Sequence, residues 1–263
     1  MAWLQINFFS DCLRRLVPLK VLLPFALGTH QPEKKPFKTV YLLHNGIDDY
    51  ASLEEIARKM NLAVVIPFCQ HAFFVDMEAS GLMYSQFIGR ELVAFTRKLF
   101  PLSCRREDTV LAGISMGGFG ALHNGLKHYA VFGHTIALSS ALVVRGIIES
   151  ATDGKLGGLN QSFFETVFGD LSLLHKSDKT PEVLAKKILE NSDCPLDFYL
   201  ACGYNDLLVH ENRKFSMYLK SIGFPHSYEE GPGSHEWHFW DNFLRRGLER
   251  LFLPQKQKLS FPC

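Results

Sequence analysis

Three side chains far apart along the chain have the types that nucleophilic catalysis needs. Ser115 sits in Gly113-Ile114-Ser115-Met116-Gly117, a G-x-S-x-G stretch. It falls between a strand-like run (Thr109-Val110-Leu111-Ala112) and a helix-like one (Gly118 to Lys127). That context is a nucleophile elbow, a sharp strand-to-helix turn that presents a serine hydroxyl above a sheet. So tight a turn strains the serine backbone, and side chains at the flanking glycines would strike the neighbouring strand and helix. The pentapeptide alone is a weak signal, so its companions decide. A serine hydroxyl needs a base to take its proton, and the base needs a group to orient it.

Both companions occur in suitable places. Asp206 follows the strand-like Asp197 to Cys202 through the short turn Gly203-Tyr204-Asn205. His235 lies in Gly231-Pro232-Gly233-Ser234-His235, between the strand-like His226 to Glu229 and a C-terminal helix. Acid and base thus fall on loops at the carboxyl ends of strands, where α/β folds place their chemistry. Rivals exist among the 11 histidines. His238 is near but falls inside the predicted helix, where packing or solvent is the plainer role. His235 and His238 could supply two ligands of a metal site, but there is no H-E-x-x-H and no convincing third ligand. Asp193 and Asp197 precede their strand, and Glu211 reads as a helix-start charge. The plainer role for Asp206 is a turn or helix-capping aspartate.

A tetrahedral intermediate carries a negative oxygen, which needs donors already aimed at it. The backbone N–H of Met116, directly after the serine, is one candidate. The second should come from the loop after an early strand, here His44-Asn45-Gly46-Ile47-Asp48-Asp49 after Thr39 to Leu43. Gly46 lets the backbone approach a substrate closely, although Asn45-Gly46 is also an ordinary turn dipeptide.

These loops need elements to hold them. Short apolar runs alternate with helical patterns, which predicts an α/β fold with a mostly parallel sheet covered by helices on both faces. Predicted strands are Val17 to Leu23, Thr39 to His44, Leu62 to Pro67, Thr109 to Ala112, Thr135 to Leu138, Asp197 to Cys202 and His226 to Glu229. Ser52-x-x-Glu55 reads as a capping box, and Leu82 to Leu99 has helical periodicity. Thr180-Pro181 reads as a helix start, Gly223 as a C-cap after Glu211 to Ile222, and Trp237 to Phe252 as an amphipathic helix. The 263 residues fit one α/β domain, 1–263. The irregular stretch 143–193 holds Gly154, Gly157, Gly158 and the aromatic cluster Phe163, Phe164 and Phe168. It reads as a cap-like excursion over the active site, or equally as a helical crossover with a loop.

Composition narrows the function class. Lysine plus arginine (28) nearly balances aspartate plus glutamate (27), so no basic field invites nucleic acid. The six cysteines (Cys12, Cys69, Cys104, Cys194, Cys202 and Cys263) form no C-x-x-C pair and read as thiols of a reducing compartment. No secretory pattern opens the chain, and the apolar run Val21 to Leu27 is too short to span a bilayer. Asn160-Gln161-Ser162 is a sequon without a secretory context. The expectation is a cytoplasmic protein with no membrane span.

The motifs together resemble a known family. Tyr41-Leu42-Leu43-His44 with Asp48-Asp49, Gly113 to Gly120, Cys202-Gly203-x-x-Asp206-x-Leu208 and Gly233-Ser234-His235-Glu236-Trp237-His238-Phe239-Trp240 are similar to the corresponding loops of esterase D-like putative esterases. Within them the chain is most similar to the short-chain tributyrin esterase group, and its opening Ala2 to Ser10 resembles that group's start. The resemblance implies the α/β-hydrolase fold and hydrolysis of small acyl esters by a Ser115, Asp206 and His235 triad, with no cofactor and no metal. The partner implied is a small-molecule ester, and since relatives often self-associate, a homo-oligomer is admitted. Esterase D relatives also include S-formylglutathione hydrolases, an alternative thioester activity, and a non-catalytic binding module on the same scaffold is the remaining alternative. The sequence departs from the family at Asn45, where glycine is usual. Phe73 and Phe74 stand where relatives carry an aromatic loop beside the active site. The resemblance makes them substrate contacts, and core packing is their plainer role.

Overall fold

The computed structural model describes residues 1–24, 36–44, 51–69, 73–142, 160–191 and 197–252. Its centre is an eight-stranded sheet. The strands are β1 (Ala2–Ser10), β2 (Arg15–Leu23), β3 (Lys38–Leu43), β4 (Leu62–Pro67), β7 (Thr109–Ile114), β8 (His134–Leu138), β9 (Asp197–Gly203) and β10 (Ser227–Gly231). A separate short hairpin pairs β5 (Asp76–Met77) with β6 (Leu82–Met83). The sheet order is β1-β2-β4-β3-β7-β8-β9-β10. β2 runs antiparallel to both neighbours, and the neighbouring strands β4, β3, β7, β8, β9 and β10 pair in parallel. This is the α/β-hydrolase fold.

The central strands are apolar throughout because each face is covered. Alternate residues of one strand serve two separate cores. Tyr41, Leu43, Val65 and Leu111 enter one cluster, while Val40, Leu42, Val64, Val110 and Ile114 enter the other. The second cluster is closed by α1 (Ala51–Met60), through Leu53, Ile56 and Ala57, and by α7 (Trp237–Phe252), through Phe239, Phe243 and Leu248. Burying each such side chain contributes about 1.5–3 kcal/mol.

The first cluster is closed by α2, α3 (Met116–Lys127), α4 (Gln161–Phe168), α5 (Pro181–Asn191) and α6 (Val209–Ser221). α2 begins as Tyr84–Gln86, widens to a π turn at Phe87–Glu91 and continues as Leu92–Leu99. Within the π turn, any side chain at Gly89 would run into the His128 ring. α4 and α5 belong to the irregular stretch, and their Phe164, Phe168, Leu184 and Ile188 join the same cluster as the sheet. Residues 143–159 and 192–196 of that stretch lie outside the described residues.

Most predicted elements occur with ends shifted by one or two residues. Gly223 ends α6 at φ +75°, with Phe224 N–H bonded to Leu219 O at 2.8 Å, the left-handed cap expected of it. Three expectations change. β1 pairs along its whole length with β2 but was not among the predicted strands. Leu82 and Met83 form a strand rather than the first turn of α2. α1 already includes Ala51, so Ser52 does not open it.

Three histidines, His123 fully buried and two others partly buried, are held against protonation around these cores. His123 is fully buried, and burial together with the nearby Lys127 charge lowers it to about 3. Burial likewise lowers His128 to about 4, with Lys127 adding to the effect, and His44 to about 4, with His235 adding. In the unfolded chain each takes a proton near pH 6.5. Below that pH the unfolded state therefore binds more protons than the folded one, and stability falls with pH down to about pH 3–4. At pH 5 the fully buried His123 alone costs about 2 kcal/mol, and the partly exposed pair adds less. A thermal melt is expected to drop by roughly 5–10 °C between pH 7 and pH 5. His123→Leu should flatten that dependence, and an unchanged slope in the variant would contradict the assignment.

Candidate active site

The elbow is built by main-chain sterics. Ser115 holds φ 58° and ψ −118°, between the end of β7 and the first turn of α3. A Cβ at Gly113 would strike the Gly117 carbonyl, and one at Gly117 would strike the Leu43 carbonyl of β3. Both obstacles are backbone, so neither can move aside. The strained turn is clamped from β8. Ser115 N–H donates to Leu138 O at 3.0 Å, and Ser115 O accepts from Ala141 N–H at 3.0 Å. Met116 is the first residue of α3. Its N–H therefore has no partner within the helix, and the positive end of the helix dipole lies beside Ser115.

The acid and base loops are joined by backbone bonds. β9 and β10 pair up to Gly203 against Gly231. Beyond them, Tyr204 N–H donates to Gly231 O at 2.8 Å and Asn205 N–H to Gly233 O at 3.0 Å. A side chain at Gly203 would collide with the Gly233 carbonyl. Gly233 itself holds φ +137°, a conformation that favours glycine.

This framework brings the three separated residues together. His235 Nε2 lies 3.0 Å from Ser115 Oγ. His235 Nδ1 lies 3.0 Å from Asp206 Oδ2 and 3.2 Å from Oδ1. The Asp206 side chain is fully buried. Burial alone would raise its carboxyl. Hydrogen bonds from His235, from Ser139 and from the Leu208 N–H outweigh that effect and hold it below the usual carboxylate range. The Leu208 N–H bond to Oδ1 is 2.8 Å long. Asp206 thus stays ionised at neutral pH, opposite the Nδ1 of an imidazole that faces a serine.

The rivals fall elsewhere. His238 is exposed on α7. Asp197 opens β9 and pairs with Arg250 at 3.0 Å. Glu211 pairs with Lys214 at 2.8 Å. Asp193 lies outside the described residues. Among the described residues, no group of three or more His, Cys, Asp or Glu is placed to hold a metal. No helix among them is long and apolar enough to cross a membrane.

Ser115 opens into a cleft of ≈ 160 Å³ lined by His44, Phe74, Ile114, Met116, His235 and Trp240 among others. Phe74 faces this cleft. Phe73 packs behind it on Phe119 and Phe168, with ring centroids 5.4 and 5.3 Å away. Both phenylalanines hold left-handed backbones, φ 50° and 58°. Such strain costs about 1–3 kcal/mol per residue and persists only where the surroundings enforce it. Asn124 helps here, donating from Nδ2 to Phe74 O and to Gly120 O, each at 2.9 Å. Gly46 and Asn45 lie outside the described residues. The sequence reading assigned no role to Trp240 or His44, although both fell within quoted motifs. Trp240 packs edge-on against the His235 ring, with centroids 4.8 Å apart.

Known proteins agree with this site in kind. A model of the putative esterase family matches residues 76–251. An acetyl esterase of Caldicellulosiruptor saccharolyticus is 36% identical, the match covering 95% of this chain and 97% of that one. The chain belongs to the putative esterase family. Among solved structures of serine hydrolases, this family member is similar to FphF, a fluorophosphonate-binding serine hydrolase of Staphylococcus aureus. The TM-score is 0.82 at 29% identity, over 96% of this chain and 99% of that one. It is also similar to the S-formylglutathione hydrolase FrmB of Staphylococcus aureus, with TM-score 0.79 at 28% identity over 95% and 98%.

Proposed function

We propose that the protein is a serine carboxylesterase that hydrolyses short-chain acyl esters through an acyl-enzyme. The observation that carries this reading is the unbroken line from Asp206 through His235 to the Ser115 hydroxyl, with 3.0 Å at each closest approach. His235 Nε2 takes the Ser115 proton as Oγ attacks the ester carbonyl carbon. The carbonyl π electrons move onto oxygen, where the N–H groups of Met116 and Gly46 receive the charge. Collapse of the intermediate expels the alcohol, which leaves with the proton from His235. Water then repeats the attack on the acyl-enzyme, releasing the acid and restoring Ser115. Losing one oxyanion donor in such a site lowers kcat by about 10²–10³.

The small cleft and the acetyl esterase relative favour a short acyl chain. A cavity of about this volume accommodates a benzene-sized group. A series of p-nitrophenyl esters from acetate to decanoate is expected to peak at about two to four carbons, each further methylene being discriminated by pocket fit. A maximum at octanoate or longer would overturn the short-chain reading. The likeness to FrmB supports a second reading, a thioesterase acting on S-formylglutathione. Turnover of S-formylglutathione compared with p-nitrophenyl acetate separates them, and the ester is expected to win. Of the excursion 143–193, the described helices supply Phe163, Phe164 and Phe168, which pack on Phe73 behind the cleft wall, and this supports a role for them in backing the substrate site.

A further inference from the structure

We propose that Lys179 is a positioning residue that sets which esters fit the cleft, by fastening the aromatic wall that backs Phe74, an inference that rests on the esterase reading above. Lys179 lies between the 3₁₀ turn Leu171–Lys176 and α5. Only 9% of its side chain is exposed. A lysine so buried needs a partner, or its charge is left unsolvated. Its Nζ donates to Glu78 Oε2 at 2.7 Å and to Val167 O at 3.4 Å. One ammonium thus ties the last turn of α4 to the β5–β6 hairpin, of which Glu78 is the first turn residue. A second ion pair lies beside it. Asp178 Oδ2 is 3.2 Å from Lys127 Nζ at the end of α3, and Asp76 Oδ2 is 3.8 Å from the same nitrogen. Asp76 is fixed in turn, its Oδ1 accepting from Ser85 N–H at 2.8 Å and from Gln86 N–H at 3.2 Å. The consecutive residues Asp178 and Lys179 therefore dock by two opposite charges, one on α3 and one on the hairpin.

What these pairs hold is the back of the cleft. Phe163, Phe164 and Phe168 of α4 pack on Phe73. Phe74 follows directly and lines the cleft. The loop bearing both rings runs straight into β5, so Glu78 follows Phe74 by one short strand. The Phe74 ring is seated on α3 at Gly120, where any side chain would strike it. Both phenylalanines hold left-handed backbones, which persist only where the surroundings enforce them. The Lys179 bridge joins α4 to the hairpin, two of the elements that supply those surroundings. Among the described residues, the cleft lining includes none of Glu78, Lys127, Asp178 and Lys179. Their effect on substrate therefore passes through the seat of Phe74 and leaves Ser115, Asp206 and His235 in place. With the bridge intact the wall stays in and refuses a long chain. With it broken the wall yields and longer esters enter. The Glu78 side chain is 64% exposed, so water and salt reach the bridge from that end.

The test compares Glu78→Ala, Lys179→Met and the double variant with wild type on p-nitrophenyl acetate and p-nitrophenyl hexanoate. Glu78→Ala leaves the buried ammonium without its carboxylate, and Lys179→Met keeps an apolar stem while removing the charge. In each single variant the ratio of kcat/KM for hexanoate to that for acetate is expected to rise about fivefold, because a looser wall gives up part of its discrimination per methylene. The change should fall on KM for hexanoate, with kcat for both esters moving less than about twofold. The double variant should resemble Lys179→Met, since the two changes remove one interaction. Amide exchange across 163–168 should quicken in the same variants, while exchange in β9 stays as in wild type. Arg245→Met breaks the 3.1 Å pair with Glu55 between α7 and α1. It controls for the ordinary loss of an ion pair and should leave the ratio unchanged. If Lys179→Met does not fold, Glu78→Ala still decides, because that carboxylate is mostly exposed. An unchanged ratio in Glu78→Ala, a proportional fall on both esters, or an equal rise in Arg245→Met would overturn the proposal while leaving the esterase reading intact. Hydrolysis of p-nitrophenyl acetate surviving in Ser115→Ala would overturn the esterase reading instead.

Discussion

Ser115→Ala is expected to lower ester turnover by about 10⁴-fold or more while leaving a folded protein. The loss is large because the proposed route makes its only covalent bond through Oγ. What remains is a cleft and its oxyanion donors acting on unassisted water. The fold should survive because the elbow is held by other atoms. The Ser115 N–H and C=O bonds to Leu138 and Ala141 do not involve the side chain. The glycine contacts at positions 113 and 117 are likewise main-chain. The expected melting temperature lies within a few degrees of wild type, as is usual for removing one partly exposed hydroxyl. A fluorophosphonate probe should label the wild-type protein and fail to label the variant. Unchanged turnover, or labelling that persists in Ser115→Ala, would place the nucleophile elsewhere.

Asp206→Asn should be nearly as costly, at about 10⁴-fold in kcat. The carboxylate accepts from the Leu208 N–H and faces His235 Nδ1. An amide offers one acceptor oxygen and two N–H donors. If its NH₂ faces His235, the imidazole must accept there and carry its proton on Nε2, aimed at Ser115. It then cannot take the serine proton. If the oxygen faces His235 instead, the NH₂ meets the Leu208 N–H, and a buried donor is left unpaired. KM should change little, since neither geometry alters the cleft walls. A kcat loss under tenfold would mean that another group orients His235.

Much of this was legible before any coordinates. The central strands announced themselves because strands covered on both faces are largely apolar along their length, as in Leu62 to Pro67 and Thr109 to Ala112. The site was legible because its three loops follow a fixed chain order of nucleophile, acid and base. β1 was not read as a strand. It lies at the sheet edge and carries large apolar groups on both faces, with Trp3 and Phe9 exposed. Its burial nevertheless alternates regularly, with Leu4, Ile6 and Phe8 half-buried between exposed neighbours, so a period-two signal was present there and went unread. The difference between Phe73 and Phe74 was also illegible. Two identical neighbours are sorted by a left-handed turn, and only the fold decides which ring meets the cleft. Lys179 left no signal either, since its interest lies in a contact with a carboxylate 101 positions away.

The seam between Gly203 and Gly231–Gly233 has a consequence for how this scaffold can change. The spacing of Asp206 and His235 is set by peptide groups hydrogen-bonded across two neighbouring loops, and hardly at all by which side chains those loops carry. Tyr204 and Leu207, both largely exposed on the acid loop, can therefore vary freely without loosening the dyad. Natural variation and directed evolution alike can remodel the rim around one unmoving chemical core, so new substrate preferences should arise here at small cost to rate.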